Sequence, residues 1–366
     1  MPGDGSNRIA GRLIYHDGVP TSRTGSGLGV MIKKTVFCTI ITPDYMPFAL
    51  ALHESLGEWH PGARMVALVA GEEGEVKGRG SLPERANFSV LFASDLHGDV
   101  KNEAIFRKYY GHDADAFRWA SKPGLMRHLL RDQDNENVVF CDPDILFTAS
   151  CNELLGCLGE FRLALTPHHH WIDPAEDAKR LRVYRTGFFN AGFVAASAEA
   201  DPILEWWQES CATACDRESH HGLYVDQRYL DVMPFLFDGV KVVHDSRYNV
   251  GGWRMDRFLT ARPDVWPLPQ EHAAAFLHFT SLDERVALPG PAERVLADYS
   301  ARLQRHGLPY SFLDRLKEKR AAEASECRAL ARQQSHLLTR LRGLLRLGTR
   351  WRHLRGACSL RPAQLD

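Results

Sequence analysis

Residues 137–147 read NVVFCDPDILF, an apolar stretch interrupted by two carboxylates, Asp142 and Asp144. A continuous apolar, β-branched run of this kind is typical of a strand that is buried on both faces of a parallel sheet. Buried charges are costly unless they have partners, and ligands of open α/β sheets bind outside the carboxyl ends of the strands. Residues i and i+2 of an extended segment share a side, so we expect both carboxylates to point at one ligand, for which a divalent cation is suited.

The sequence on either side alternates between strand-like and helix-like runs. Strand-like runs occupy residues 35–41 (TVFCTII), 64–70 (RMVALVA), 88–92 (FSVLF), 162–166 (RLALT), 188–197 (FFNAGFVAAS), 240–244 (VKVVH) and 275–279 (AFLHF). Helical spacing occurs in residues 47–56 (PFALALHESL), 119–132 (WASKPGLMRHLLRD), 200–216 (ADPILEWWQESCATACD) and 225–237 (VDQRYLDVMPFLF). This alternation predicts an α/β fold with a mostly parallel sheet flanked by helices.

The composition is that of an ordinary globular protein. The chain has 366 residues, of which 44% are hydrophobic and 25% are charged, and its formal net charge is −1. Nothing in this balance calls for a nucleic acid as partner. No apolar run has the length of about 20 residues that a membrane span needs, and no signal-peptide core follows the N-terminus, which predicts a cytoplasmic protein.

Both ends of the chain differ from its middle. Residues 1–30 are rich in Gly, Ser and Arg and are expected to form a poorly ordered leader, with Met31 as a second plausible start. Residues 31–312 carry the strand and helix signals, and residues 313–366 read as a basic helical tail. The tail could rest on anionic lipid at the inner face of the membrane, or it could pack on the main domain.

Two groups of potential metal ligands have a simpler interpretation. Cys211 and Cys215 lie one helical turn apart, but they are better read as small core residues of a protein in a reducing compartment. His168, His169 and His170 invite a zinc-site interpretation. Adjacent residues of a strand point to opposite faces, so adjacent histidines rarely bind the same ion. We therefore favour a loop that lines a cleft.

The polar and small residues between the apolar runs form an ordered set of motifs. They are TIITPDYMPFALALHESL (39–56), KPGLMRHLL (122–130), the Asp-Pro-Asp of residues 142–144, LTPHHH (165–170), FNAGF (189–193), DQRYLDVMPFLF (226–237), YNVGGW (248–253) and FLHFTS (276–281). In this order they resemble the metal-dependent GT-A glycosyltransferases that use nucleotide sugars, bacterial members in particular. The resemblance spans roughly residues 33–283, and the ordered set is far more specific than an Asp-x-Asp motif alone.

The resemblance implies a GT-A fold, with a Rossmann-like sheet in a catalytic domain of residues 31–312 and a helical C-terminal extension. It also implies a hexosyltransferase that uses Mn²⁺ or Mg²⁺ as cofactor. The donor would be a nucleotide sugar, with a UDP-sugar favoured. The acceptor would be a hydroxyl of a glycan, of a lipid-linked compound or of a small molecule.

The metal ligands implied by the resemblance are Asp142, Asp144 and His278. A lone histidine at the end of a strand is more often a core residue whose hydrogen bonds are satisfied. The assignment of His278 as a metal ligand therefore depends on the resemblance. Relatives often continue with Ser-Gly or a similar small pair where this chain has Thr280 and Ser281, which puts a phosphate contact of that turn in doubt.

Further residues carry implied roles in donor binding, catalysis and acceptor binding. Simpler interpretations are a β-bulge at Gly192 and helix capping by Asp226. Relatives commonly have Asn after the Trp, where this chain has Arg254. The implied catalytic residues are Asn190 and Asp226, with Asp226 as general base if the reaction inverts. The implied donor-binding residues are Thr39, Thr42, Tyr45, Lys122, Asp142, Gly192 and Gln227. The implied acceptor or cleft residues are His168, Tyr248, Asn249 and Trp253.

Two other classes of protein remain as alternatives. A non-catalytic module that binds nucleotide sugars would keep the same fold and many of the same residues. A haloacid-dehalogenase-type phosphohydrolase also places Asp-x-Asp after a strand. There the motif lies near the start of the domain and is followed by Thr or Val, whereas here Ile145 and Leu146 follow it deep inside the chain.

Overall fold

The computed structural model describes most of the middle of the chain. The described residues are 34–71, 84–169, 183–217, 222–260, 273–280, 282, 290, 292–322, 325 and 326. The predicted leader, Met31 and most of the predicted tail lie outside the described residues, as do His170 and Ser281.

A seven-stranded sheet forms the centre of the fold. The pairs β1/β2, β2/β3, β1/β4 and β6/β8 are parallel, whereas β7 runs antiparallel to β4 and β6. The predicted α/β fold with a mostly parallel sheet is thereby confirmed. The strands are β1 (Thr35–Ile41), β2 (Arg64–Val69), β3 (Phe88–Phe92), β4 (Asn137–Cys141), β6 (Leu163–Pro167), β7 (Phe189–Ser197) and β8 (Val240–Val242), in the order β3-β2-β1-β4-β7-β6-β8.

Helices flank both faces of this sheet. Successive side chains of a strand point to opposite faces, so Cys38 and Ile40 pack in one core cluster with Leu125 of α4, while Phe37 packs in another with Leu52 of α1. The helices are α1 (Met46–Trp59), α2 (Val100–Tyr109), α3 (Ala114–Ala120), α4 (Lys122–Leu130), α5 (Asn152–Gly156), α6 (Asp201–Thr213), α7 (Met233–Leu236), α8 (Met255–Thr260) and α9 (Ala292–Arg305).

A smaller sheet joins distant parts of the chain. Its strands are β5 (Ile145–Phe147), β9 (Val250–Gly251) and β10 (Phe276–His278), with β10 in the middle. Strand β10 pairs His278 with Ile145 on one side and with Gly251 on the other. Because Ile145 directly follows the Asp-Pro-Asp motif, this register places His278 beside the acidic pair.

The helix predicted around residues 225–237 is divided. The structure has a 3₁₀ helix over Arg228–Asp231 and then the short helix α7. Pro234 explains the break, because proline lacks an N–H donor and can occupy only the first turn of a helix. Pro234 stands in the first turn of α7.

The start of the predicted tail packs on the domain. Residues 312–322 are helical, and Leu313 and Leu316 are buried in a third core cluster with Phe48 and Tyr299. None of the helices in the described part of the chain has the length and apolarity that crossing a bilayer requires. The predicted boundary between residues 312 and 313 stays a prediction.

Candidate functional site

The Asp-Pro-Asp motif turns out of strand β4. Ile145 N donates to Asp142 O at 3.2 Å, which closes a β-turn, and Asp142 N donates to Gly192 O at 2.7 Å. The expectation that an extended segment places both carboxylates on one side is therefore wrong, and a turn makes them converge instead. Pro143 favours this turn because its ring fixes the φ angle that the second position of a β-turn needs.

Asp142, Asp144 and His278 form a compact group. One ligand atom from each lies within 4.8 Å of the other two. The Nε2 atom of His278 is 3.2 Å from Asp144 Oδ1 and 3.6 Å from Asp142 Oδ2. The structure thus brings together the three residues that the sequence resemblance assigns to the metal.

Asn249 holds the imidazole of His278 from behind. Its Oδ1 atom lies 3.0 Å from His278 Nδ1, and its Nδ2 donates to Asn190 Oδ1 and to Thr166 Oγ1. Asn249 is fully buried and has a left-handed φ of 53°, a conformation that Asn tolerates better than most residues. With Nδ1–H directed at an amide oxygen, Nε2 is the nitrogen left to face the carboxylates.

The donor set of this group suits a divalent cation. His278 Nε2 is buried and has no partner at hydrogen-bonding geometry, which is the condition expected of a ligand atom. Two carboxylates and one imidazole are ligands that Mn²⁺ and Mg²⁺ sites accept. Although burial opposes both shifts, the mutual attraction of the two groups lowers the pKa of Asp144 and raises the pKa of His278.

Gly192 makes the close packing of these side chains possible. A Cβ atom at this position would lie 2.4 Å from His278 Cε1 and 2.6 Å from Asp142 Oδ2, distances that real Cβ atoms do not tolerate. Strand β7 also carries a bulge here, since its register against β6 shifts between Leu165 and Pro167. The irregularity agrees with the β-bulge interpretation of Gly192, and its predicted role in donor binding stays a prediction.

A polar cavity of about 180 Å³ opens beside Asp142. Lys122 lies in its wall, 96% buried, with Nζ 3.3 Å from Asp142 Oδ1 and 3.1 Å from Asp226 Oδ2. Burial raises the pKa of Asp226 to about 6, against the lowering effect of Lys122. The 3₁₀ helix that follows has Gln227 as its N-cap and no side-chain capping bond, so capping does not explain Asp226.

The side-chain amides of Asn190 and Gln227 form a hydrogen-bond network in the wall of this cavity. Asn190 Nδ2 donates to Gln227 Oε1 at 3.2 Å, and Asn190 Oδ1 accepts from Gly192 N at 2.9 Å. Gln227 Oε1 also accepts from Ala191 N at 3.2 Å. This network fixes the orientation of both amides, which together with Gly192 line the polar cavity.

His168 and Trp253 line the polar cavity as well. The indole N–H of Trp253 donates to His168 O at 2.6 Å, and the two rings meet edge to face. His169 has a left-handed φ of 48°, and burial lowers its pKa to about 4. Among the described residues, neither His168 nor His169 belongs to a group that could hold a metal, in line with the cleft-loop interpretation.

Four predicted site residues, Thr39, Thr42, Tyr248 and Asn249, line neither the polar cavity nor the larger cavity at Asp144. Thr39 is fully buried in β1, on the same face as Phe37, because strand side chains alternate. Tyr248 is 3% exposed and packs its ring against Phe276 in the core. Asn249 contacts the Nδ1 atom of His278, on the side of the ring away from the carboxylates. These positions correct the expectation that Thr39 contacts a donor and that Tyr248 and Asn249 line a cleft.

A second, larger cavity of about 540 Å³ opens on the other side of the metal group, at Asp144. Strand order reverses between β1 and β4, which is the switch point where open α/β sheets bind ligands. Tyr45 follows β1 and lines this cavity, stacked on Phe48 with ring centroids 4.7 Å apart. Thr42, just before it, donates to Asp44 Oδ1 at 2.6 Å and does not line the cavity.

Sequence reasoning missed the far wall of this switch-point cavity. Tyr310, Phe312 and Arg315 line it together with Tyr45 and Asp144. All three lie C-terminal to residue 283, beyond the region that resembles the family. The only signal for them in the sequence was a pair of aromatic residues close together in LPYSFLDR (308–315).

The fold and the site define an α/β protein with a candidate divalent-metal group between two cavities at the carboxyl edge of its sheet. No model of a known protein family matches the chain. Among curated proteins it is similar to two uncharacterized proteins of Bacillus subtilis. YfnD is 24% identical over 67% of this chain and 76% of the relative, and YfnF is 23% identical over 60% and 72%.

Solved structures to which the chain is similar include several glycosyltransferases. A complex of galactosyltransferase LgtC with donor and acceptor sugar analogs has a TM-score of 0.48 and 16% identity, over 74% of this chain and 95% of that chain. The glycosyltransferase GlyE of Streptococcus pneumoniae has a TM-score of 0.41 and 16% identity, over 75% and 63%. Mouse xyloside xylosyltransferase 1 has a TM-score of 0.40 and 14% identity, over 68% and 98%. At these TM-scores the likeness adds nothing to the functional argument, which rests on the chain's own geometry.

Proposed function

We propose that this protein is a metal-dependent glycosyltransferase that moves a hexosyl group from a nucleotide-sugar donor to an acceptor hydroxyl. The observation that carries the proposal is the position of the Asp142–Asp144–His278 group. It lies between a large aromatic cavity and a small polar cavity, at the switch point of the sheet. A donor that spans both cavities would lie with its diphosphate beside the three ligands.

The chain's own residues divide into three roles. Asp142, Asp144 and His278 would hold Mn²⁺ or Mg²⁺, which when bound stabilises negative charge on a diphosphate leaving group. Tyr45 offers an aromatic face for the base of a nucleotide, with a UDP-sugar as the favoured donor. Asn190 and Gln227 offer amide groups to sugar hydroxyls in the polar cavity.

Asp226 is the proposed proton acceptor of an inverting transfer. Its carboxylate lines the polar cavity, and a pKa of about 6 keeps most of it ionised at neutral pH while leaving it basic enough to accept a proton. Lys122 holds the carboxylate in place at 3.1 Å. Lys122 also adds a positive charge to the wall that the donor diphosphate would meet.

The direct test is turnover of a panel of nucleotide sugars with and without Mn²⁺. The variant Asp144→Asn should lose metal-dependent donor hydrolysis by about 100-fold or more, the scale of removing one preorganised electrostatic group. The exposed Asp134→Asn, in the loop before β4, serves as the control. Equal metal dependence in both variants would contradict the proposal, and metal-dependent binding without any turnover would favour the non-catalytic module.

A further inference from the structure

The aromatic cavity is built by two parts of the chain that are far apart in sequence. The region after β1 supplies Tyr45 and Phe48, and the segment after α9 supplies Tyr310, Phe312 and Arg315. The second group falls in or beside the region that the sequence assigned to a tail. We define this post-α9 wall as residues 308–322.

The post-α9 wall is held firmly against the domain. Ser311 Oγ lies 3.2 Å from Ser300 Oγ, and Leu313 N donates to Ser300 Oγ at 3.3 Å. The ring of Phe312 meets Tyr299 of α9 at 5.6 Å and Phe48 of α1 at 6.1 Å, edge to face in both cases. The wall is therefore a packed part of the cavity, with the geometry of its exposed side chains set by the core.

The cavity combines aromatic faces with positive charge. The guanidinium of Arg315 lies 4.1 Å from the centroid of the Tyr310 ring, and Arg118 lies 5.4 Å from that of Tyr45. Tyr299, fully buried between Phe279 and Phe312, has a hydroxyl without a hydrogen-bond partner in the described structure. Of these two arginines only Arg315 lines the cavity, together with Glu318 and Lys319. An aromatic surface with a guanidinium over one of its rings matches a planar heterocyclic base joined to phosphates.

The size of the cavity fits the same ligand. A volume of about 540 Å³ lies within the range of roughly 300–1,000 Å³ that small-molecule sites occupy. Asp144 of the metal group lines the cavity at one side. A nucleoside diphosphate with its base between Tyr45 and the post-α9 wall would reach the metal group with its phosphates.

We infer that the post-α9 wall is a donor-specificity element, in which Tyr310 contacts the base of a nucleoside diphosphate and Arg315 contacts its phosphates. This inference rests on the proposed function and extends it, because it assigns nucleotide selection to a segment outside the motifs that resemble known enzymes. The chemistry that selects the nucleotide then belongs to this chain's own C-terminal region.

The test is calorimetric binding of UDP, GDP and ADP, and of inorganic diphosphate, in the presence of Mn²⁺. Tyr310→Ala should weaken nucleoside diphosphate binding about tenfold, the scale of one lost base–aromatic contact, and leave inorganic diphosphate unchanged. Tyr310→Phe, which keeps the ring, should bind as the wild type does. Arg315→Glu should weaken both kinds of ligand, while Arg294→Glu on the exposed side of α9 should weaken neither.

The outcomes separate the inference from the proposed function. If the wild type binds nucleotides and Asp144→Asn does not, but Tyr310→Ala and Arg315→Glu bind normally, the inference falls and the proposed function stands. If the wild type binds no nucleoside diphosphate at all, both fall. Thermal unfolding of each variant reveals whether a lost affinity comes from lost folding instead.

Discussion

At the scale of single residues, the site depends on short side chains that place larger ones. Asp142 and Asp144 need a turn to converge, and Pro143 supplies it. His278 needs an acceptor behind its ring, and Asn249 supplies it at 3.0 Å. The three candidate metal ligands are thus positioned by Pro143 and Asn249, which do not belong to the metal group themselves.

Asn249→Ala should weaken Mn²⁺ binding by about 10- to 100-fold, the usual effect of removing the partner of a metal-bound histidine. The reason is that the imidazole loses the oxygen that orients its Nδ1–H. Electron paramagnetic resonance of free Mn²⁺ measures the affinity. Asn249→Asp, which keeps an acceptor oxygen, should lose less, and equal losses in the two variants would contradict a positioning role.

Gly192→Ala should destabilise the protein by about 1–3 kcal/mol and abolish Mn²⁺ binding, because the new methyl group overlaps His278 and Asp142. Urea unfolding and Mn²⁺ titration measure the two effects. The matched control is Gly57→Ala in helix α1, where a Cβ atom meets nothing within 4 Å. That control should stabilise the protein by about 0.5–1 kcal/mol.

At the scale of elements, a buried histidine links the end of α1 to the start of α5. Cys151 N donates to His60 Nε2 at 3.1 Å. Burial lowers the pKa of His60 from 6.5 to about 4, and the nearby side chain of Asn152 opposes this only in part. The junction therefore requires a neutral imidazole that accepts a hydrogen bond.

Stability should fall as the pH is lowered from 7 to 5, because the unfolded chain then binds a proton at His60 that the folded chain does not. A shift from 6.5 to about 4 makes the loss between pH 7 and pH 5 about 2 kcal/mol, and the loss is complete only below pH 4. Urea unfolding at pH 7, 6 and 5 measures it. His60→Gln keeps an acceptor for Cys151 N but does not titrate, so an equal slope in that variant would exclude His60 as the source.

At the scale of the whole molecule, the domain joins two sheets whose edges meet at the metal group. The large sheet contributes the turn after β4, and the small sheet contributes His278 from β10. The post-α9 wall then covers the switch-point side. Each part lies far from the others in sequence, so the site exists only in the assembled fold.

Removal of residues 327–366 should lower binding to anionic liposomes and leave Mn²⁺-dependent nucleotide binding unchanged. The arginine- and leucine-rich stretch at residues 340–356 has a composition suited to lipid contact. Flotation with and without 0.5 M NaCl measures this, since salt screens the attraction. Equal flotation of the full and shortened chains would favour a tail that packs on the domain.

Sequence patterns predict the class of fold, and the ordered motifs identify the three candidate ligands. Apolar runs and their alternation with helical spacing are local signals, and they located all the strands of the large sheet. The ordered motifs singled out Asp142, Asp144 and His278. Local patterns are sufficient for the strands because each strand signal depends on neighbouring residues in the chain, whereas His278 was identified as a ligand only through the family resemblance.

The distances between the three candidate ligands, and the other residues that line the site, depend on the tertiary structure. The register of β10 against β5 sets the distance from His278 to the carboxylates, and the register of β10 against β9 places Asn249 behind the ring. Packing of the post-α9 wall on Tyr299 and Phe48 brings Tyr310 to the aromatic cavity. These are contacts between distant segments, and their geometry is fixed by the packing of the whole core, which no short stretch of sequence encodes.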